Sequence, residues 1–203
     1  MHTLLDLRGK IVTFIHISAS KLHEVNIPDE LLPEPGAIYV IGCGFTDLAR
    51  LHQSAYAGDS FVIRAKSNLK AQERNSHAID RTSGILCDQP GMLTGFYPRQ
   101  DFPAPLRRIR FKDSQTQNTL IFLTHHFTLT ALTITQFYRR RWQIELFFKW
   151  IKQHQRIKVF FGTSVNVVKT RIWIAVSAYA LVAVVKNRLN LRPNSTNIYR
   201  PCA

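Results

Sequence analysis

The feature that most constrains the fold is a strand–helix–strand pattern in the first third of the chain. Ala37–Ile41 and Phe61–Ala65 are continuous apolar runs of strand length. Between them, Leu48–Ala57 has helical character, and Thr46 or Asp47 can cap its first turn. Two buried strands joined by a helix form a parallel pair with a right-handed crossover. The pattern therefore predicts an α/β fold.

The rest of the chain supplies further elements. Residues 67–130 alternate polar and Pro/Gly-rich pieces with short β-prone runs, which indicates a β-rich insertion. Downstream of it, no Gly or Pro interrupts residues 133–155, and this segment predicts one helix. The remaining predicted elements are an antiparallel hairpin over residues 3–18, strands over Leu106–Phe111 and Thr119–Leu123, and an apolar helix over Val165–Leu189.

Charge is distributed unevenly along the chain. The 203 residues carry 27 Lys plus Arg and 13 Asp plus Glu, a formal net charge of +14. Residues 114–203 hold 13 of the basic side chains and a single acid, Glu145. A cationic half of this kind indicates a polyanionic partner such as nucleic acid. The apolar content of 45% is too high for a disordered chain.

Cysteine content and hydropathy indicate a cytoplasmic protein. The three cysteines have no C-x-x-C spacing, so a reducing compartment is expected. The N-terminal residues lack the apolar run of a signal peptide. The longest apolar stretch, Ile172–Val185, is shorter than the ~20 residues that span a bilayer. We expect it to be a helix packed in the core, with no membrane partner.

One segment of the cationic half is the best candidate for a functional site. On a single helix, Tyr138, Arg141, Glu145 and Lys152 fall within a stripe of roughly 60°. Large apolar side chains border this stripe on both sides, so it presents a carboxylate and cations to a cleft. From helix geometry alone, an ion pair of Glu145 with Arg141 or Lys149 explains the same spacing. The bordering residues are Phe137, Ile144, Phe148 and Ile151 on one side and Trp142, Leu146 and Trp150 on the other.

Simple structural roles are expected for two other residue pairs. Trp142 and Trp150 are predicted to lie in the core rather than to stack on nucleic-acid bases. His125 and His126 are adjacent on a predicted strand, so their side chains point to opposite faces. A metal ion shared by these two histidines is therefore not expected.

The spacing of the cationic segment resembles a known signature. Tyr138, Arg141, Glu145 and Lys152 match the Y-(2)-R-(3)-E-(6)-K pattern of the "insertion sequence four" family of bacterial DDE transposases. The resemblance extends over roughly residues 2–190. It implies a ribonuclease-H-like fold with a β-rich insertion before the last catalytic helix. Other matching runs are Leu4–Gly9, Phe14–Ser18, Phe61–Lys66 and Lys169–Ile174.

The resemblance also implies an activity and a set of site residues. Such enzymes bind transposon ends and cut DNA with two Mg²⁺ or Mn²⁺ ions, which three carboxylates hold. Glu145 would be the third carboxylate and a metal ligand. Tyr138, Arg141 and Lys152 would position DNA phosphates near the cut. Further expected phosphate contacts are Arg139, Arg140, Lys149, Arg156 and Lys158.

The chain departs from the family at two of the three carboxylates. The family's second aspartate follows a Tyr-Val-x run, and here the run Tyr39-Val-Ile places Gly42 at that position. The first aspartate lies upstream of Leu4–Gly9, where this chain begins, so the first strand is expected to be absent. Asp47 is expected to be a helix cap, and Cys43 is a poor ligand for Mg²⁺. We therefore expect a catalytically defective fragment whose metal binding is doubtful.

Two other interpretations stay open at this point, and they leave the chain's status as an enzyme undecided. One is a non-catalytic DNA-binding protein, or an inhibitor that assembles with a full-length transposase as a homo- or hetero-oligomer. The other is a gene remnant that never folds stably. The predicted parts are the N-terminal core without its first strand at 1–66, the β-rich insertion at 67–130, the C-terminal core helices at 131–190 and a non-matching tail at 191–203.

Overall fold

The structure of the protein is a computed structural model that divides into two compact units. One unit combines residues 1–19 with 143–203, and the other comprises residues 20–142. The structure describes residues 2–8, 11–16, 34–42, 47–65, 71–73, 79–154 and 165–189. In chain order the described elements are β1 (His2–Asp6), β2 (Ile11–His16), β3 (Ile38–Ile41), α1 (Leu48–Tyr56), β4 (Ser60–Arg64), β5 (Ala71–Glu73), β6 (Ile85–Leu93), α2 (Phe96–Asp101), β7 (Leu106–Lys112), β8 (Thr119–Thr124), α3 (Ala131–Arg140), α4 (Trp142–His154) and α5 (Val165–Arg188).

The unit of residues 20–142 is built on a mixed six-stranded sheet of order β3-β4-β8-β7-β6-β5. β3 and β4 are parallel, with Tyr39 opposite Phe61, and the other neighbours are antiparallel. Helix α1 connects β3 to β4, and the carboxylate of its N-cap Asp47 accepts the amide N–H of Arg50 at 3.1 Å. The strand–helix–strand prediction is confirmed, and so is the mixed α/β fold class.

Side chains alternate across this sheet and form two apolar layers. Phe61 and Ile63 pack in the layer that α1 covers, whereas Val62 faces the layer that α3 covers. Strands β5 to β8, from the predicted insertion, share the sheet with β3 and β4. The domain boundaries at residues 66, 130 and 190 stay a prediction.

The unit of residues 1–19 and 143–203 combines a hairpin with two helices. β1 and β2 pair antiparallel, as the sequence predicts. Phe147 and Ile151 of α4 and Val176 of α5 are buried together, and Val12 and Ile15 of the hairpin pack against them. This small core is what holds the hairpin to the helices.

Helix α5 is buried along one side only. Ala175 and Val176 are buried, whereas Ile174 and Leu181 are 64% and 67% exposed. The prediction that the whole apolar stretch is packed in the core is therefore wrong. By length and composition alone, Asn166–Arg188 could cross a membrane, and a single helix of this kind is weak evidence for a membrane span.

The signature segment forms two helices where the sequence predicts one. α3 ends at Arg140, Arg141 is a turn residue and α4 begins at Trp142. The amide N–H of Arg141 donates to the carbonyl of Tyr138 at 3.0 Å, a bond of the i to i−3 kind that tightens a last helical turn. The single-helix prediction over 133–155 is wrong, and the stripe drawn on one helix does not extend across Arg141.

Candidate nucleic-acid site

The end of strand β3 and the turn after α3 lie next to each other in the unit of residues 20–142. β3 ends at Ile41, and Gly42 follows directly. A Cβ placed on Gly42 would lie 3.6 Å from Nη1 of Arg141, an ordinary van der Waals distance. The fold therefore brings Arg141 to the carboxyl end of a half-buried strand.

Tyr138 positions this arginine. Cζ of Arg141 lies 5.3 Å from the centroid of the Tyr138 ring, a cation–π distance. Tyr138 is only 8% exposed, and its ring packs on Phe122 with the two centroids 4.7 Å apart. A ring held in the core thus supports a guanidinium, whose planar set of donors suits phosphate oxygens.

Two more cations occupy the last turn of α3. Arg139 and Arg140 are both exposed there, where positive charge interacts favourably with the helix dipole. Nη2 of Arg139 lies 3.8 Å from Oδ1 of Asp113, a loose and half-exposed pair. A pair of this kind contributes little to stability, so Arg139 can contact phosphate at small cost.

The remaining predicted residues belong to the other unit or lie outside the described residues. Glu145 is half-buried in the first turn of α4, and Lys149 is exposed on the same helix. Lys152 also belongs to α4. Arg156 and Lys158 lie outside the described residues.

A buried ion pair of Arg107 and Asp88 was not predicted from the sequence. Nε and Nη2 of Arg107 each donate to a carboxylate oxygen of Asp88 at 2.7 Å. Nη1 of Arg107 donates to the carbonyl of His126 at 3.2 Å, to that of Phe127 at 3.3 Å and to that of Leu129. Arg107 therefore ties the loop after β8 to the sheet.

This loop leads directly into α3, so the ion pair helps to place the helix that carries Tyr138 and Arg141. The residue pattern of β7 could have predicted this ion pair. Arg107 alternates with Ile109 and Phe111 along β7, and all three are buried. A charged residue in phase with buried apolar residues needs a charged partner, which here is Asp88.

The two adjacent histidines each bond to backbone. Nε2 of His125 donates to the carbonyl of Asp59 at 2.9 Å, and burial lowers the pKa of His125. Nδ1 of His126 accepts the amide N–H of Leu129 at 3.2 Å. Burial and, secondarily, the charge of Arg107 lower the pKa of His126. The lowered pKa values favour the neutral form of both rings, and the bond of His126 to the Leu129 amide helps to fix the loop before α3.

The family model described as "Transposase DDE domain" matches residues 1–181 of the chain. The chain belongs to this DDE transposase family. It is 30% identical over 193 residues to "Putative transposase y4zB" of Sinorhizobium fredii (strain NBRC 101917 / NGR234), a match that covers 94% of this chain and 54% of that protein. It is 26% identical over 163 residues to "Probable transposase for insertion sequence element IS5377" of Geobacillus stearothermophilus, covering 75% and 40%. The chain spans about half the length of these curated relatives.

DDE transposases generally use divalent metal ions, and the donors at the end of β3 do not fit one. Gly42 supplies no side-chain oxygen there, and its neighbour Arg141 carries a positive charge. Within the described parts of the chain, no three His, Cys, Asp or Glu side chains come together as a possible metal site. Hard cations such as Mg²⁺ need oxygen ligands, and the described residues at this strand end, Ile41 and Gly42, have no side-chain oxygen.

The two tryptophans of the transposase signature segment differ in burial. Trp142 is 60% exposed, so the prediction that it lies in the core is wrong. It stands at the first position of α4, immediately after the turn at Arg141, and a helix start has fewer packing neighbours than its middle. Trp150 is half-buried and packs on Tyr179 with the ring centroids 5.4 Å apart.

Proposed function

We propose that this chain is a DNA-binding, transposase-type protein of the "insertion sequence four" group that does not cleave DNA on its own. The observation that carries the proposal is the placement of Gly42 beside Arg141. By resemblance, position 42 is that of the second catalytic aspartate, and Arg141 is a signature residue. The two positions meet as an active site of this family requires, but glycine brings no carboxylate to it.

The cations of α3 support the DNA-binding half of the proposal. Arg141 is held on Tyr138, and Arg139 and Arg140 are exposed beside it. Lys and Arg side chains that neutralise phosphates release condensed counterions, which supplies most of the affinity for DNA. The proposed partner is the end of a transposon in the bacterial cytoplasm. Further proposed phosphate contacts are Lys149, Lys152, Arg156 and Lys158.

The loss of cleavage follows from the number of carboxylates. Metal-dependent strand cleavage requires two ions held in a fixed geometry. By resemblance, Gly42 stands at the second of the family's three carboxylate positions, and a site that lacks one of the three does not fix both ions. The protein is therefore proposed to bind DNA without cutting it.

One observation favours a second function, interference with a longer transposase through mixed assembly. Several large apolar side chains along α5 are exposed in the described chain. An apolar helix side of this kind is typical of a surface that another chain covers. The side chains concerned are Trp173, Ile174, Leu181, Val182 and Val185.

A binding titration tests the proposed function. We expect the protein to bind a labelled duplex of ~30 base pairs, with affinity that falls steeply from 50 to 200 mM salt. Arg141→Gln should weaken binding about tenfold, since a charge-assisted phosphate contact is worth roughly 1.4 kcal/mol. The matched control is Arg188→Gln, which removes an exposed cation at the end of α5. Absence of binding at 50 mM salt, or equal losses in the two variants, would refute the proposal.

A further inference from the structure

We propose that an open cavity where β6 leads into α2 binds unpaired nucleotides of DNA, with the ring of Phe96 as the surface on which a base stacks. The cavity has a volume of about 670 Å³, and its polar lining consists of Gln72, Thr94, Arg99 and Gln100. Ligand sites in proteins have volumes of about 300–1,000 Å³, so a nucleotide is a suitable occupant in size. This inference rests on the proposed DNA binding and adds a single-strand site that uses none of the signature residues.

Phe96 borders this cavity and is presented to solvent rather than to the core. Its side chain is 78% exposed, and that of the adjacent Tyr97 is 74% exposed. Gly95 has a φ of 101° and no Cβ, which permits the short connection from β6 to α2. Aromatic side chains bury large areas when they pack, so two adjacent exposed rings beside a cavity indicate a surface that a ligand covers.

The two rings are arranged so that aromatic faces stay available. The ring centroids of Phe96 and Tyr97 lie 5.3 Å apart and the ring planes are inclined at 87°, which is an edge-to-face pair. In such a pair, at least one face of each ring is not covered by the other ring. Every nucleobase has a face that can stack on an aromatic ring, so binding here would tolerate any sequence. The bases of a duplex are covered by their neighbours, so the ligand is a segment with unpaired bases.

The polar lining complements the other parts of a nucleotide. Gln72 and Gln100 each carry an amide that can donate and accept hydrogen bonds, as the edges of nucleobases do. Arg99 lies one helical turn after Phe96 and carries the single charge among the described residues that line the cavity. A guanidinium at this place suits the phosphate next to a base stacked on Phe96. The aromatic face and the positive charge together favour nucleic acid over an apolar peptide.

Binding of single-stranded DNA tests the cavity separately from the proposed function. Phe96→Leu keeps an apolar side chain but removes the aromatic face. It should weaken binding of a labelled strand of about 12 nucleotides roughly tenfold and leave duplex binding nearly unchanged, and Phe96→Tyr should bind like the wild-type protein. The matched control Tyr56→Leu removes a ring that is 90% exposed on α1 and should have no effect. Folding should be preserved in these variants, because both side chains are exposed.

The outcomes separate the two proposals. If the wild-type protein binds duplex DNA but Phe96→Leu and Tyr56→Leu bind the single strand equally well, the cavity is refuted and the proposed function stands. If the wild-type protein binds neither form of DNA, both are refuted. Arg99→Gln should lower the slope of log affinity against log salt for the single strand by about 0.7, the contribution of one phosphate contact. Lys186→Gln, which removes an exposed cation of α5, should leave that slope nearly unchanged, and equal slopes in the two variants would refute the role of Arg99.

A photo-crosslink gives a readout that does not depend on affinity. A single strand that contains 5-iodouracil is irradiated in complex with the protein, and mass spectrometry identifies the crosslinked residue. We expect crosslinks at Phe96, because a base stacked on that ring is in direct contact with it, and few at Tyr56. Equal crosslinking at the two positions, or tighter binding of RNA of the same sequence than of DNA, would overturn the proposal.

Discussion

Nη1 of Arg141 lies 3.6 Å from the point that a Cβ on Gly42 would occupy. The distance is ordinary for a Cβ, and Gly42 does not have the left-handed backbone conformation that favours glycine. The fold therefore does not require a glycine here, because a Cβ at this position has room beside the guanidinium. If position 42 is that of the family's second aspartate, as proposed, the lack of a carboxylate there is a property of the sequence and not of the backbone.

An acid introduced at position 42 should form an ion pair with Arg141. Both positions are half-buried, and we expect Gly42→Asp to be more stable than the neutral control Gly42→Asn by about 1 kcal/mol, the upper end of the range for surface pairs. Urea denaturation at pH 7 measures the difference. It should vanish in an Arg141→Gln background, and a difference that persists there would show that the two side chains do not interact.

The buried pair of Arg107 and Asp88 should be costly to break from one side. Arg107→Leu leaves the Asp88 carboxylate buried without its partner, and we expect a loss of roughly 3–5 kcal/mol in the free energy of unfolding. The double variant Arg107→Leu/Asp88→Leu removes both charges and should recover part of that loss. A single-variant cost below about 1 kcal/mol would contradict the burial of this pair.

Stability should fall as the pH drops below neutrality because of His125 and His126. The pKa of each is lower in the folded protein than its ordinary value of 6.5, so the unfolded chain binds more protons. The free energy of unfolding is therefore at its full value above about pH 6.5 and decreases as the pH falls through and below that value. Protonation of Nδ1 of His126 also removes the acceptor for the Leu129 amide.

The variant His125→Gln/His126→Asn tests this pH dependence. Each amide side chain keeps one bonding group of the ring it replaces but does not titrate. Thermal melts from pH 7.5 to 5.5 should show a flatter profile for this variant than for the wild-type protein. Identical profiles would mean that other groups cause the decrease. Below pH 4 the variant should lose stability as the wild-type protein does, because that loss comes from carboxyl groups. The hydrogen bonds of Thr82 and of Gln115 lower the pKa values of Asp80 and Asp113, respectively.

The cap of α1 gives a prediction about the link between β3 and β4. Asp47→Ala removes the acceptor for the Arg50 amide and should cost about 0.5–2 kcal/mol. Asp47→Asn keeps that acceptor and loses the 3.2 Å contact with Nε of Arg50, so it should cost much less. Equal costs in chemical denaturation would show that the ion pair, and not the cap, stabilises the helix.

The sequence predicts the elements whose signals are local. The apolar run Ala37–Ile41 and the helix capped by Asp47 form where residue patterns place them, because burial and capping act over a few residues. The turn at Arg141 carries no Gly or Pro and depends on contacts that the pattern does not encode. Likewise, the spacing that resembles the family signature indicates Arg141 as a candidate site residue. Its position beside Gly42 depends on a contact between residues that are far apart in the sequence.

Strand cleavage is the most direct test of the claim that this transposase domain binds DNA without cutting it. The purified protein is incubated with a terminal-repeat duplex and Mn²⁺, and binding and nicking are followed in parallel. Slower migration of the duplex with no nicked strand is the expected result. Nicking that Glu145→Ala abolishes would contradict the account.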